Sequence, residues 1–347
     1  MSSSKMHTNI ITSMSQGFAN TYLLYTACKL NLFDLIGQGG VSAQEISENA
    51  RVDLQIIYKI LRPLVAYGFI IENQSRYELT EQGYLLTESE NKSLKGYVLY
   101  CGGICAKCWS MMAEAAQRDV VPYQLALGMD LFVDNREDEN QYAIFNSMMN
   151  FVSRSMVLSD FLKNIKKQSD IRNIIDIGGG TGAVLIQFLE YFTNASGVIV
   201  DLEFVREKAL CNIKKNKLLD RCAFKTGNFF EPLEVVGDVF ILSRVLHDWN
   251  DDHSVKILKN IKNVMTTESV LYIIELIIPE EVKRENLNIY MNDLQMWAVC
   301  GGAERKLSEY RKLFREVGLV CTGIQRIASG ESVITVKIES EVEVGEI

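Results

Sequence analysis

From Asn173 onward the chain alternates short β-branched runs with amphipathic stretches, and no other feature limits its possible folds as much. NIIDIG, GVIVDL, CAFKTG, DVFILS and VLYIIEL are each short enough for one strand, and helical patterns separate them. Strands alternating with helices argue an α/β fold: a parallel, doubly wound sheet with ligands at the strands' carboxyl ends. GLVCTGIQRI and ESVITVKIE, joined by Ala328-Ser329-Gly330, break the rhythm and read as a terminal hairpin.

The first hundred residues read as helices with one small hairpin. Thr8 to Lys29 is apolar nearly all round, so a helix there must be covered on every side, by its own domain or by another chain. Ser42 with Glu45 forms a capping box that opens AQEISENA. Asp53 caps LQIIYKILRPLVAYG, and Gly68 stops it. Phe69-Ile70-Ile71 and Arg76-Tyr77-Glu78-Leu79 then alternate around Asn73-Gln74-Ser75, completing a winged helix. A DNA reader would need several cations on the second helix, which offers only Lys59 and Arg62 beside Asp53. The net charge of −8 also disfavours a partner held through phosphates. This part therefore reads as a dimerisation module, with a DNA-binding regulator as the competing class. The expected domains are residues 1–100, a helical linker covering the substrate over 101–168, and a catalytic domain over 169–347. The charged DNREDEN, Asp134 to Asn140, is a solvated loop between the halves.

No stretch approaches the ~18 apolar residues of a membrane span. The most hydrophobic segment, Val270 to Ile278, is broken by Glu275, and MSSSKMHTNIITSMSQ lacks a signal peptide's apolar centre. A cytoplasmic location is expected, with the eight cysteines as free thiols. Cys101, Cys105 and Cys108 have the C-x3-C-x2-C spacing of an iron–sulfur site. Offsets of four and seven also put them on one face of a helix, and buried core thiols with no metal is the reading preferred.

Asp176-Ile177-Gly178-Gly179-Gly180-Thr181-Gly182 stands where a strand turns into a helix. Glycines there let backbone amides approach a ligand at a helix amino end. Asp201, at the end of the second strand, has the spacing of a carboxylate that grips ribose hydroxyls. These features point to a nucleoside. Gly178, Gly180 and Ala183 also fit G-x-G-x-x-A, which keeps an NAD-dependent dehydrogenase open. The Y-x-x-x-K spacing of Tyr25 and Lys29 lies too far before the loop to support it.

Of three histidines, His7 is near the amino terminus and His253 reads as surface. His247, in Ser243-Arg244-Val245-Leu246-His247-Asp248-Trp249, follows the fourth strand, where such sheets carry chemistry. With GFANTYLLYTACKLNLFDL, IIDIGGGTG, VIVDL, GNFFEPL, SRVLHDW, YIIELIIP and DLQMWAVCGGAERKLSEYRKLFREVGL, the chain resembles the S-adenosylmethionine-dependent small-molecule O-methyltransferases. That group includes plant caffeic-acid-type enzymes and bacterial enzymes for aromatic polyketides.

The resemblance implies a Rossmann-like sheet with a reversed last strand, a winged-helix dimerisation domain and homodimers. It implies that Gly178, Gly180 and Gly182 wrap the methionine and ribose of the cofactor, and that Asp201 takes the ribose hydroxyls. Asn228 stands where the family usually has Asp and can still accept from the adenine amino group. Phe229 is expected to stack on the adenine and Trp249 to close its other side, with Ser243 and Arg244 completing the cofactor set. Arg154 is a further candidate for the cofactor's carboxylate. His247 matches the general base, held by Glu275 and Glu304. Asp248 either assists it or caps the helix beginning NDDHSV, and capping is the reading preferred. Phe145, Met148, Met149, Met296, Trp297 and Cys300 match the acceptor lining, though each also reads as core. The same fold could instead methylate nitrogen, decarboxylate or hydroxylate. A phenol near pKa 10 is about 3.5 units, or ~4.8 kcal/mol, beyond a free imidazole's reach. Neighbouring carboxylates would narrow that gap.

Overall fold

The computed structural model describes residues 3–37, 39–90, 93–128, 131, 144–145, 147–149, 151–152, 155–165 and 171–339. DNREDEN and Arg154 lie outside the described residues. The chain forms two compact units, residues 1–110 with 137–151, and residues 111–136 with 152–347. The boundaries expected at 100 and 168 differ from this division, because the intervening segment is shared between two cores instead of forming a body of its own.

In the first unit, β1 (Val41–Ser42), β2 (Ile70–Asn73) and β3 (Arg76–Leu79) form an antiparallel sheet in the order β1-β3-β2. Both capping-box bonds form: the Glu45 amide donates to Ser42 Oγ at 3.2 Å, and the Ser42 amide to Glu45 Oε2 at 2.7 Å. Asp53 Oδ1 accepts from the amides of Gln55 and Ile56. Gln74 and Ser75, with φ of 50° and 63°, make the mirror-image turn that suits a two-residue hairpin. Ile46, Ile57, Leu61, Leu64, Ile70 and Tyr77 meet in one core. The long apolar helix is two, Ser3–Ser15 and Gly17–Lys29, parted beside Gly17, a poor helix former. Ile11, Met14 and Phe18 stand exposed on them. Cys101–Cys105 forms a π-helical turn, so the three thiols depart from a 3.6-residue period: Cys105 and Cys108 are buried, and Cys101 only half-buried.

The second unit holds β4 (Asn173–Ile177), β5 (Ser196–Asp201), β6 (Cys222–Thr226), β7 (Val239–Ser243) and β8 (Val270–Glu275). Two short strands, β9 (Ile277–Ile278) and β10 (Arg305–Lys306), precede the hairpin of β11 (Leu319–Arg326) and β12 (Ser332–Ile338). The large sheet runs β11-β12-β8-β7-β4-β5-β6, with β4 to β8 parallel and β12 antiparallel to both its neighbours. Successive strand residues serve opposite faces. Ile174, Ile199, Ile241 and Ile274 meet helices Ser159–Lys163, Ala183–Tyr191 and Arg206–Lys215. Ile175, Phe240, Leu242 and Ile273 meet helices Asp251–Lys262 and Leu307–Glu316. Burial on both faces explains why the strands read as continuous apolar runs. The order reverses between β4 and β7, opening a crevice at their carboxyl ends. Among the described residues no helix is long and apolar enough to cross a membrane.

The carboxyl end of helix Ala183–Tyr191 is closed by Arg221, whose guanidinium donates to the carbonyls of Leu189 (2.6 Å), Ala195 (3.0 Å) and Phe192 (3.3 Å). Arg221→Met keeps the stem but strands these acceptors. Urea unfolding should show a loss of about 1.5–3 kcal/mol; an unchanged midpoint would mean that solvent replaces the guanidinium.

Candidate active site

His247 lies in a single 3-10 turn, Leu246–Asp248, just past the end of β7. Arg244 turns the chain with a φ of 53°, while its amide still donates to the Ile274 carbonyl of β8. Glu275, the last residue of β8, then reaches under the turn: its Oε1 accepts from the amides of Val245 (3.1 Å) and Leu246 (2.9 Å). Arg305 takes the other end, donating to the carbonyls of Leu246 (2.8 Å) and Trp249 (2.7 Å) and to Asp251 Oδ1 (3.0 Å). The Ala303 amide donates to the His247 carbonyl at 2.9 Å. A Cβ on Gly302 would stand 1.9 Å from that carbonyl oxygen, so only glycine lets the two segments meet. Parallel pairing of β10 with β9, Arg305 opposite Ile277, brings the Glu304–Arg305 segment beside the end of β8.

His247, Glu275 and Glu304 are 3%, 0% and 3% exposed, so the trio is enclosed by protein. His247 Nδ1 lies 2.8 Å from Glu304 Oε1 and 3.6 Å from Glu275 Oε2, and Nε2 lies 3.5 Å from Asp248 Oδ1. Burial alone would lower the imidazole's pKa, but the charges of Glu275, Asp248 and Glu304 outweigh it and raise it to about 9. Burial raises Glu275 to about 7 against the pull of His247, and burial raises Asp248 as well. The cluster therefore holds its protons tightly. One atom from each of the three residues falls within 4.8 Å of the others, a spacing a cation could share. Glu275 Oε1 is already committed to two amides and Glu304 Oε1 to the imidazole, which makes this a hydrogen-bonded bracket.

Asp248 does not cap the following helix. Asn250 does so, its Oδ1 accepting the His253 amide at 3.0 Å, because it sits at the N-cap position of Asp251–Lys262. Asp248 Oδ1 faces His247 and accepts from Cys300 Sγ at 3.7 Å, which brings one expected acceptor-lining residue to Asp248. Met296 and Trp297 lie half-buried on the same helix, Leu287–Cys300. Phe145, Met148 and Met149 belong to the first unit, where Phe145 packs on Tyr100 with centroids 6.0 Å apart. Glu304 and Arg305 are both buried, and each serves the His247 turn.

At the end of β4, Gly178, Gly180 and Gly182 all have positive φ. Gly182 presses on Ile199, whereas a Cβ on Gly180 would meet nothing within 4 Å, so the loop's outer surface is open there. Asp201 holds the loop's shape: Oδ2 accepts from the Gly180 amide and Oδ1 from the Leu202 amide, both at 2.7 Å. Asp176, fully buried below the loop, is raised to about 8 by burial and then by the Asp201 charge. Asn228 is exposed, and its Oδ1 accepts from the Phe230 amide at 3.0 Å. Ser243 Oγ sits 3.9 Å from Met156 Sδ, and Arg244 pairs with Glu331 at 3.6 Å.

The two rings expected to clasp an adenine are not parallel. Phe229 and Trp249 are 6.1 Å apart at 75°, and one base between parallel faces needs about 7 Å. Trp249 instead packs edge-on against Phe230 at 4.7 Å and beside His253 at 5.7 Å. Edge-to-face contact is a favoured geometry for such rings, and it draws Trp249 away from the position the sequence suggested.

Sequence reasoning missed Asn292, Asp293 and the structural role of Arg305. Arg305 was visible only as one letter of GGAER. Lysine cannot reproduce its fork across three acceptors. Arg305→Lys should lower the urea midpoint by the equivalent of about 1–3 kcal/mol; an unaltered unfolding curve would show the turn to be held without it.

Comparison with known proteins places this geometry. The O-methyltransferase domain profile matches residues 109–320, and the O-methyltransferase dimerisation domain profile residues 12–89. The phenazine O-methyltransferase PhzM of Lysobacter antibioticus is 26% identical over 327 residues, covering 94% of this chain and 95% of its own. The crystal structure of LaPhzM superposes with a TM-score of 0.89 at 25% identity, covering 95% of this chain and 99% of the other. NcsB1, from neocarzinostatin biosynthesis, solved with S-adenosylmethionine and 2-hydroxy-5-methyl naphthoic acid, gives 0.78 at 25% identity over 92% and 96%. With the catalytic-domain profile alone covering more than half its length, the chain belongs to the S-adenosylmethionine-dependent O-methyltransferase family.

Proposed function

We propose that this enzyme methylates a phenolic hydroxyl of a small aromatic molecule, with His247 as the general base. The observation that carries this is the 2.8 Å contact of Nδ1 with Glu304, which occupies one imidazole nitrogen and leaves Nε2 to take the proton. Nε2 is 3.5 Å from Asp248 Oδ1, too long for an effective hydrogen bond. Raising the imidazole to about 9 shrinks the mismatch with a phenol to about one unit, ~1.4 kcal/mol.

S-adenosylmethionine supplies an electrophilic methyl group on a sulfonium. The open surface at Gly180 gives its nucleoside room, and each Asp201 oxygen, already accepting one amide, keeps a lone pair for a ribose hydroxyl. Gly178, Gly182, Asn228, Phe229, Ser243, Arg244 and Trp249 complete the proposed cofactor set. Trp249 must turn from Phe230 if it is to cover the adenine. Phe145, Met148, Met149, Met296, Trp297 and Cys300 are the proposed acceptor lining, soft side chains that suit flat rings. The phenazine and naphthoic acid named for the relatives are rings of that kind. A second copy of the chain is the proposed cover for the exposed Met14 and Phe18 of the family's dimerisation domain, and for Ile11 just before it. Free thiols at all eight cysteines suit a cytoplasmic setting.

His247→Ala should lower kcat about 10²–10⁴-fold toward a phenol while leaving affinity for S-adenosylhomocysteine intact. Equal turnover by the variant would remove the base from the reaction. The base works only when deprotonated, so kcat should climb from pH 7 and level off at or below about pH 9, the raised value of the enclosed His247. A rate that is flat from pH 6 to 9 would contradict this assignment.

A further inference from the structure

We propose that Glu331 is a positioning residue that aims Arg244 at the carboxylate of the cofactor's amino-acid end. The proposal deepens the cofactor set above and rests on Arg244 belonging to it. The end of β8 separates the two residues. On one side Arg244 follows β7, and its amide donates to the Ile274 carbonyl of β8. On the other, Glu331 precedes Ser332 of β12, which pairs with Glu275 of β8. Gly330, with a φ of 108°, closes the turn before it, and the Ile327 amide donates to the Glu331 carbonyl at 2.9 Å. The terminal hairpin thereby delivers a carboxylate to the sheet edge that carries the glycine loop. A Cβ on Gly178 would stand 3.0 Å from Val245 Cγ2, so the segment holding Arg244 lies directly against that loop.

The pair is poorly satisfied for two buried charges. The side chains of Arg244 and Glu331 are 12% and 7% exposed, and Nη1 lies 3.6 Å from Oε1, beyond hydrogen-bond range. Arg244 Nε and Glu331 Oε2 are both buried without a hydrogen-bond partner. Burying a carboxylate is costly, and one long contact offsets little of that cost. What Glu331 supplies is direction. Burial raises Asp248 and Glu275, and the charges of His247 and Arg244 pull against it, so two carboxylates beside the base compete for the same guanidinium. Glu331 holds that guanidinium on the hairpin side with its Nε hydrogen uncommitted, and a guanidinium fork matches a carboxylate. Without Glu331 the guanidinium would fold toward Asp248 and be spent there.

The test measures affinity by calorimetry for two ligands that share a nucleoside. S-adenosylhomocysteine has the amino-acid end, and methylthioadenosine lacks it. Glu331→Gln keeps the side chain's size and removes its charge. It should weaken S-adenosylhomocysteine about tenfold to a hundredfold, the scale on which an orienting partner acts, and leave methylthioadenosine unchanged. Arg244→Met should weaken S-adenosylhomocysteine at least as much. Because Glu331 acts through Arg244, the double variant should bind no worse than Arg244→Met alone. The double variant also carries no stranded charge, so it serves the test if Glu331→Gln folds poorly. Wild-type affinity in Glu331→Gln, equal losses for both ligands, or a further loss in the double variant would overturn the proposal. Full affinity in Arg244→Met would overturn it together with the cofactor role of Arg244. A wild type that methylates no phenol tried, with the same ligand-selective loss in Glu331→Gln, would sink the phenol reading and uphold this one.

Discussion

Two charged side chains grip opposite ends of one short turn, and the site exists because they do. Glu275 takes the amides at its start, and Arg305 takes the carbonyls of Leu246, its first residue, and of Trp249, just past its end. Each is buried, and a buried charge without partners costs several kcal/mol. Their hydrogen bonds offset that cost and at the same time fix the backbone that carries His247. The positions are remote in sequence, and the sheet makes them neighbours. β8 delivers Glu275 beside the end of β7, and the two-residue pairing of β9 with β10 delivers Arg305.

The same enclosure tunes the chemistry. Three carboxyl groups around one imidazole overcome the desolvation that would otherwise acidify it, and a stronger base results. A base near 9 is closer to matching a phenol, yet at neutral pH most of it is protonated. In the proposed base role, His247 thus trades the fraction of working base for the ease of each proton transfer. Glu275 contributes twice, to the turn's amides with one oxygen and to the imidazole's electrostatics with the other.

Much of the fold was readable because it rests on local periodicity. β4 to β8, the reversed hairpin and both caps of the winged helix follow from alternation and capping residues at short range. What escaped depends on packing between distant segments. The π-helical turn at Cys101–Cys105 breaks the period that put three thiols on one face. Nothing local distinguishes Asn292 from any other polar helix residue; its bond to Glu304 depends on how the Gly301–Gly302 bend lies against the His247 turn. Asn250 took the cap expected of Asp248, since the turn's last residue points inward to the imidazole. Glu275 and Glu304 came from family resemblance, and strand pairing brings both to His247 in the fold.

A crystal structure of the enzyme with S-adenosylhomocysteine and a bound phenol tests the account most directly. The acceptor oxygen should lie within about 2.6–3.2 Å of His247 Nε2, on the side facing the cofactor's sulfur. An acceptor whose hydroxyl contacts only backbone or solvent, with the imidazole closed off behind Asp248, would contradict it.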